Sequence, residues 1–435
     1  MSLEQLNAYC TSKLAELKKR GAHKGVERVI AKITLPDWVR NGRLPTPAED
    51  ENFGPRYLLA SDEKAYLLMN SNSYLGLALH PKVIAAEEEG VKHFGTGPGA
   101  VRFISGTYQP HIELEKCLAA FHGRASAMVY SAAYATVMGV LPALIDEHTL
   151  VVSDQLNHNS IINAIRLSHP AKKEIYQHLD MAELERILGT YTSASGKNAV
   201  GEPEIKRVLV ITDGIFSMRG DCAPLDKIVA ICRKYEQSFA DGIITIADDS
   251  HGVGAFGQTG RGTEEYTQSQ VDILIATLGK ALAVNGGYVV ASTPVIDYLR
   301  EVSPFYVYSN PITPSEALAA TASLKILGSK EGPERLARLR KLTARFENGL
   351  TELGLETIPG EHPVTPLVMR DTQQTALLIK YLFQNGILAT GLNYPVVPKG
   401  DEEIRFQINA NHTTGDINYL LSVLKNFLTY SRSRS

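Results

Sequence analysis

Apolar residues recur along the chain with two different periods, and the change from one to the other divides it. At the start, Leu3, Leu6, Cys10, Leu14 and Leu17 share one face at helical spacing, Ser2 with Gln5 forms a capping box, and Gly21 is placed to end the helix. Residues 33–62 lose the period. Pro36, Pro45, Pro47 and Pro55 interrupt them and Glu49-Asp50-Glu51 is acidic, which reads as an irregular arm over the body. From about residue 66, short continuous apolar runs alternate with helical ones. Strands are predicted at 127–131, 150–154, 208–212, 243–247, 273–277 and 288–291, with clear helices at 113–121 and 225–235. Strands apolar on both faces and separated by helices imply a mainly parallel sheet covered by helices, the α/β class. Past about residue 325 come charged helices, an alternating strand at 364–370 and a last amphipathic helix carrying Ile417, Leu421, Leu424 and Leu428. That texture predicts a smaller α+β domain, to which the N-terminal helix can return. The expected organisation is an N-terminal helix and arm (1–65), a large domain (66–325) and a small C-terminal domain (326–435).

One apolar stretch, 273–291, contains an anomaly. Between Asp272 and Asp297 the only formally charged side chain is Lys280. An ammonium in apolar surroundings must lower its pKa, pair with an anion, or become an imine. A lysine snorkelling at a strand end is the competing explanation, and this stretch alone does not separate the two.

Composition narrows the class. A formal charge of −3 over 435 residues offers no argument for nucleic acid or an anionic membrane surface. The four dispersed cysteines contain no CxxC pair and read as reduced thiols, so neither a disulfide framework nor a zinc site is expected. No apolar run reaches the roughly 18 residues of a membrane span, and the polar first residues lack a signal-peptide core. A cytoplasmic protein is expected.

Candidate chemistry sits at predicted strand ends, where open α/β sheets bind ligands. Asp248-Asp249-Ser250-His251 follows one strand and could hold a metal, pair with a cationic ring nitrogen, or cap a turn. His158 follows another. Gly252-Val-Gly-Ala-Phe-Gly257 matches GxGxxG, but the dinucleotide fingerprint needs its glycines to open a helix directly after a strand, and here an acidic Ser-His stretch intervenes. Gly95-Thr-Gly-Pro-Gly-Ala-Val-Arg102 is not followed by Gly-Lys-Ser/Thr, so it is no P-loop. Ser131-Ala-Ala-Tyr-Ala-Thr136 lies at a strand-to-helix junction suited to a phosphate. A lysine, an acid, a stacking ring and an anion site are together what pyridoxal phosphate (PLP) requires.

These segments resemble the α-oxoamine synthases, fold-type I PLP enzymes that join an amino acid to an acyl-CoA. The resemblance runs from about residue 66 to the C-terminus. It is carried by Asn72-Ser-Tyr-Leu-Gly-Leu77, Val101-Arg-Phe-Ile-Ser-Gly-Thr107, Ser153-Asp-Gln-Leu-Asn-His158, Thr212-Asp-Gly-Ile-Phe-Ser-Met218, Asp248-Asp-Ser-His251 and Thr277-Leu-Gly-Lys280. Within the family, 157–162, 257–262, 394–400 and Ile404-Arg405 are most similar to the glycine C-acetyltransferase branch.

The resemblance implies a large domain that binds PLP and a homodimer with shared active sites. It implies catalytic roles for Lys280, His158, Asp248 and His251, with Lys280 carrying the cofactor, Asp248 on the ring nitrogen and His158 stacked on the ring. His251 and Ser217 would hold the phenolic oxygen. The amides of Ala133 and Tyr134, with Thr277, would hold the phosphate, and Ser309 and Asn310 would reach the neighbouring subunit's phosphate. Asn72 and Arg405 would grip the amino-acid carboxylate. No metal is implied. The implied reaction is condensation of an amino acid, glycine first, with an acyl-CoA, acetyl-CoA first. The alternatives are decarboxylating transfer of other acyl chains, or a PLP aminotransferase or aldolase that takes no CoA. The chain departs from the family pattern at Ala132-Ala-Tyr134, at Ala283-Val-Asn285 where glycines are usual, and in its longer N-terminal region.

Overall fold

A computed structural model describes the chain except residues 21–22, 24–26, 195–203, 395, 396, 398 and 433–435. The helix stop expected at Gly21 and part of the 394–400 segment therefore lie outside the described residues. The chain forms two compact units. One comprises Arg40–Gly42 and Asn72–Arg340, the other Met1–Val39, Arg43–Ser71 and Lys341–Ser435.

The first unit is built on a seven-stranded sheet: β1 (Ser126–Tyr130), β2 (Thr149–Asp154), β3 (Lys172–Tyr176), β4 (Arg207–Asp213), β5 (Ile243–Asp248), β6 (Ile273–Thr277) and β7 (Gly287–Ala291). Their order across the sheet is β1-β7-β6-β5-β4-β2-β3. Neighbours from β6 to β3 run parallel, whereas β7 pairs antiparallel with both β1 and β6. The central strands are buried on both faces because their middle positions are almost all apolar, and Val151, Leu209, Ile211, Ile246, Ile275 and Val289 share one core with the covering helices. Edge strand β3 differs. Lys172-Lys-Glu-Ile-Tyr176 alternates between half-buried and exposed until Tyr176, so it has no apolar run to predict it. Helix Ala133–Leu144 packs on β1, β6 and β7 and against helix Asn159–Ser168, while helix Leu225–Tyr235 packs on β5.

The second unit contains an antiparallel sheet in which strand Glu403–Gln407 lies between Val364–Val368 and Thr390–Leu392. The 33–62 segment belongs to this unit apart from residues 40–42, and it is not irregular. Strand Ile30–Thr34 pairs with Arg56–Leu59, and two short helices, Asp37–Arg40 and Pro47–Asp50, lie between them. The segment is fixed to the start of the last helix, Thr414–Arg432. The Thr414 hydroxyl donates to Asp50 at 2.6 Å, and buried Asp416 receives Arg56 at 2.6 Å and the Gly54 N–H at 3.1 Å. Strand Ile30–Thr34 is exposed along its whole length and Arg56–Leu59 is only four residues long, so neither carries a hydrophobic period that would announce the order. The helix Leu3–Lys19 forms with the expected Ser2–Gln5 capping box, yet none of its residues is buried. Among the described residues no helix is long and apolar enough to cross a membrane.

Candidate active site at the strand ends

The C-terminal ends of β2, β4, β5 and β6 deliver the polar residues to one place, and local hydrogen bonds set their directions. Asn157, just after β2, donates to the Ile211 carbonyl at 2.8 Å and accepts the Asp213 N–H at 2.8 Å, joining β2 to the end of β4. The next residue, His158, caps helix Asn159–Ser168. Its backbone N–H donates to Asp213 Oδ2 at 3.1 Å, and its Nδ1 accepts from the Ser160 N–H at 3.2 Å. A ring nitrogen that accepts carries no proton, so the neutral tautomer bears its hydrogen on Nε2. Burial holds this imidazole below the ordinary value; the Asp248 charge opposes that shift and the Lys280 charge adds to it.

Asp248 ends β5 and accepts from both the Ser250 N–H (3.1 Å) and hydroxyl (2.6 Å). His251 is buried and its Nδ1 lies 2.7 Å from the hydroxyl of fully buried Tyr74, which also donates weakly to Asn72 at 3.4 Å. Lys280 lies in the turn between β6 and β7. The turn is closed by Leu278 N–H to Gly286 O (3.0 Å), Ala283 N–H to Lys280 O (3.2 Å) and the Thr277 hydroxyl to Gly286 O (3.1 Å). Ala283 adopts φ +77°, a region that favours glycine, so the departure in 283–285 keeps a glycine-like backbone with a side chain on it.

Helix Ala133–Leu144 starts at the same place. A Cβ on Gly287 would stand 2.4 Å from Ala133 Cα, so only glycine lets β7 and this helix start approach so closely. Ala132 gives the helix no side-chain cap, leaving its first amides for an anion.

A pocket results, lined by Ala133, Tyr134, His158, Ser217, Asp248, His251 and Lys280, together with Ser160, Asp213, Ile215 and Ser250. The first seven are residues singled out from the sequence. Of the other four, Asp213 matters most: a second strand-end carboxylate, inside a segment noted for its resemblance but given no role. Thr277 is buried behind the lysine turn with its hydroxyl committed to Gly286, and it does not line the pocket. Ser309 and Asn310 follow helix Pro304–Val307, half-buried and exposed. Asn72 begins the first unit, and Arg405 lies on Glu403–Gln407 of the second.

Two other segments have structural explanations. In the 252–262 segment Gly252 and Gly262 lie against Asp249, whose carboxylate takes the Thr263 N–H and hydroxyl at 2.7 Å each; a Cβ on Gly252 would stand 2.1 Å from it. Burial raises this carboxyl to about 7. Arg102 is buried against Glu115 (3.0 Å), which also receives Arg300 at 2.8 Å and the Val129 N–H at 3.1 Å.

The sheet topology and the pocket at its strand ends define a fold-type I PLP-transferase. A family model for aminotransferases of class I and II matches residues 64–424. The chain belongs to that family, and within it to the α-oxoamine synthases. It is 38% identical over 365 residues to an 8-amino-7-oxononanoate synthase of Thermosipho melanesiensis, covering 83% of this chain and 88% of that one. The synthase of that name from Treponema denticola is 36% identical over 417 residues, 95% of each chain. A variant of serine palmitoyltransferase from S. paucimobilis, solved with a bound PLP–myriocin aldimine, matches with a TM-score of 0.80 at 25% identity over 98% of each chain. These relatives give no support to the glycine C-acetyltransferase branch and favour the decarboxylating alternative.

Proposed function

We propose that this chain is a PLP-dependent acyltransferase that joins an amino acid to an acyl-CoA, releasing CoA and CO2. The observation that carries this reading is a lysine and a strand-end carboxylate, Lys280 and Asp248, in one pocket whose wall includes an uncapped helix start. That donor set suits PLP. When bound, PLP supplies an electron sink for the amino-acid Cα. Lys280 would provide the amine that holds the cofactor and would move the proton at the amino-acid Cα. Asp248 keeps the ring nitrogen protonated. His158, neutral and fixed by Ser160 and Asp213, offers the ring a flat face without adding charge. His251, whose Nδ1 meets the Tyr74 hydroxyl, would hold the phenolic oxygen with Ser217. The amides of Ala133 and Tyr134 receive the phosphate. The resemblance assigns the substrate carboxylate to Asn72 and Arg405, a bidentate task suited to guanidinium. The Cα carbon attacks the thioester carbonyl, the C–S bond breaks, CoA leaves as the thiol and the amino-acid carboxylate leaves as CO2. The relatives' name, 8-amino-7-oxononanoate synthase, itself describes an α-amino ketone of the kind this sequence of bonds produces.

The enzyme works as a homodimer in this reading. The turn Arg102–Gly106 packs on helix Pro304–Val307, and around them Phe103, Ile104, Phe305 and Tyr308 are all exposed, Tyr308 at 81%. An apolar patch of that kind supports burial against a second copy, with Ser309 and Asn310 directly beside it.

Product masses from glycine, alanine and serine, each with acetyl-, long-chain and dicarboxylic acyl-CoAs, test the assignment. Equal amounts of thiol and CO2 with an α-amino ketone product are expected. A retained carboxylate with glycine and acetyl-CoA would restore the acetyltransferase reading. No thiol from any donor would remove CoA from the reaction.

A further inference from the structure

Three strands of the sheet end in aspartate: β2 in Asp154, β4 in Asp213 and β5 in Asp248. β4 lies between the other two. Asp213 and Asp248 are direct partners in the parallel register, so their side chains leave the same face of neighbouring strands about 5 Å apart at the backbone. The three carboxyls are supplied with donors very unequally. Asp154 takes the N–H of Leu156 (2.8 Å) and Leu179 (3.0 Å) and the ring of His178 (3.0 Å). Asp248 takes the N–H and hydroxyl of Ser250. Asp213, only 5% exposed, takes the His158 N–H on Oδ2, and its buried Oδ1 has no hydrogen-bond partner. Two carboxylates side by side in a buried site do not both ionise, and the one with fewer donors keeps the proton.

We propose that Asp213 is a positioning acid of this site: a carboxyl that stays protonated on Oδ1, so that the Asp213–Asp248 pair holds one negative charge and Asp248 carries it. The groups acting on Asp213 agree in balance. Burial and the charges of Asp248 and Asp154 favour the acid, while Lys280 and the His158 N–H favour the carboxylate. His178 lies between Asp154 and Asp221, so its positive charge is engaged there and not at Asp213. Asp213 thus adds no second charge beside Asp248, and its other oxygen fixes the backbone of His158. The inference rests on the PLP reading for its consequence, since Asp248 then meets the ring nitrogen as the sole anion.

The test uses the full chain loaded with PLP, as wild type, Asp213→Asn and Asp213→Glu. Asparagine copies the neutral acid in shape and keeps a donor at Oδ1. The pH titration of the cofactor's visible absorption is expected to keep its midpoint in Asp213→Asn. The infrared difference between wild type and this variant is expected to show the C=O stretch of a protonated carboxyl at neutral pH. Asp213→Glu, which retains the acid, should keep both signatures and serves if the asparagine variant fails to fold. A midpoint moved by about one unit or more in Asp213→Asn, the effect of deleting a neighbouring charge, would overturn the proposal. So would the absence of the protonated-carboxyl band. Wild type lacking any cofactor absorption would defeat the PLP reading instead, and the infrared band would still decide the state of Asp213.

Discussion

Two buried clusters of charge in the first unit differ in one respect that separates structure from chemistry. Around Arg102, Glu115 receives two guanidinium groups and a backbone N–H, and Arg102 also donates from Nε to Thr107 at 3.0 Å. At the strand ends, Asp213 and Asp248 lie side by side, one carboxyl oxygen has no partner, and Lys280 and His158 share the same pocket. Both clusters lie in segments that resemble the family. The first is satisfied and holds a turn; the second is incompletely satisfied and faces a cavity. Reactive groups belong where buried polar atoms still have capacity, because a satisfied network resists any change of charge.

Breaking the satisfied cluster should therefore cost stability and leave the pocket's chemistry alone. Glu115→Ala strands Arg102 and Arg300 without their shared anion and is expected to lower unfolding free energy by about 3–5 kcal/mol in urea. The folded fraction should keep its cofactor absorption; loss of that absorption at unchanged stability would reverse the comparison.

A smaller effect sharpens the boundary of the strand-end cluster, where His178 sits between Asp154 (3.0 Å) and Asp221 (3.2 Å). Burial alone would lower its pKa, but the hydrogen bonds and charges of the two aspartates raise it to about 9. A folded-state pKa above the ordinary value contributes stability fully present below about 6.5 and lost as pH rises through about 9. The melting-temperature difference between wild type and His178→Gln should accordingly shrink across that window. A difference constant from about pH 6 to pH 10 would show that His178 is not charged there. The smallest expected change concerns the lysine turn. Ala283→Gly relieves a side chain at φ +77° and should stabilise by about 0.5–1 kcal/mol, measured as a raised melting temperature.

The contrast between the clusters also explains what could be read before the fold was known. β6 matches its predicted residues 273–277, because four successive apolar positions, Ile273 to Ala276, follow Asp272 and Gly279 comes soon after. The strand ends then place Lys280, Asp248 and His158 together, as the resemblance implied. β3 and the paired strands at 30–34 and 56–59 were illegible because they are short, mixed in polarity and, for 30–34, exposed along their whole length. Asp213 escaped notice for another reason. Its part depends on register with β5, and only strand pairing reveals that it stands beside Asp248. Context alone rightly sets the GxGxxG match aside, and in the fold its first glycine, Gly252, makes room for the buried Asp249 carboxylate.

The central claim is that Lys280 is the reactive group of the strand-end pocket, and borohydride reduction of the PLP-loaded protein followed by peptide mass mapping tests it most directly. A single phosphopyridoxyl group on the peptide containing Lys280 is the expected result. Its appearance on another lysine, or on none, would contradict the account.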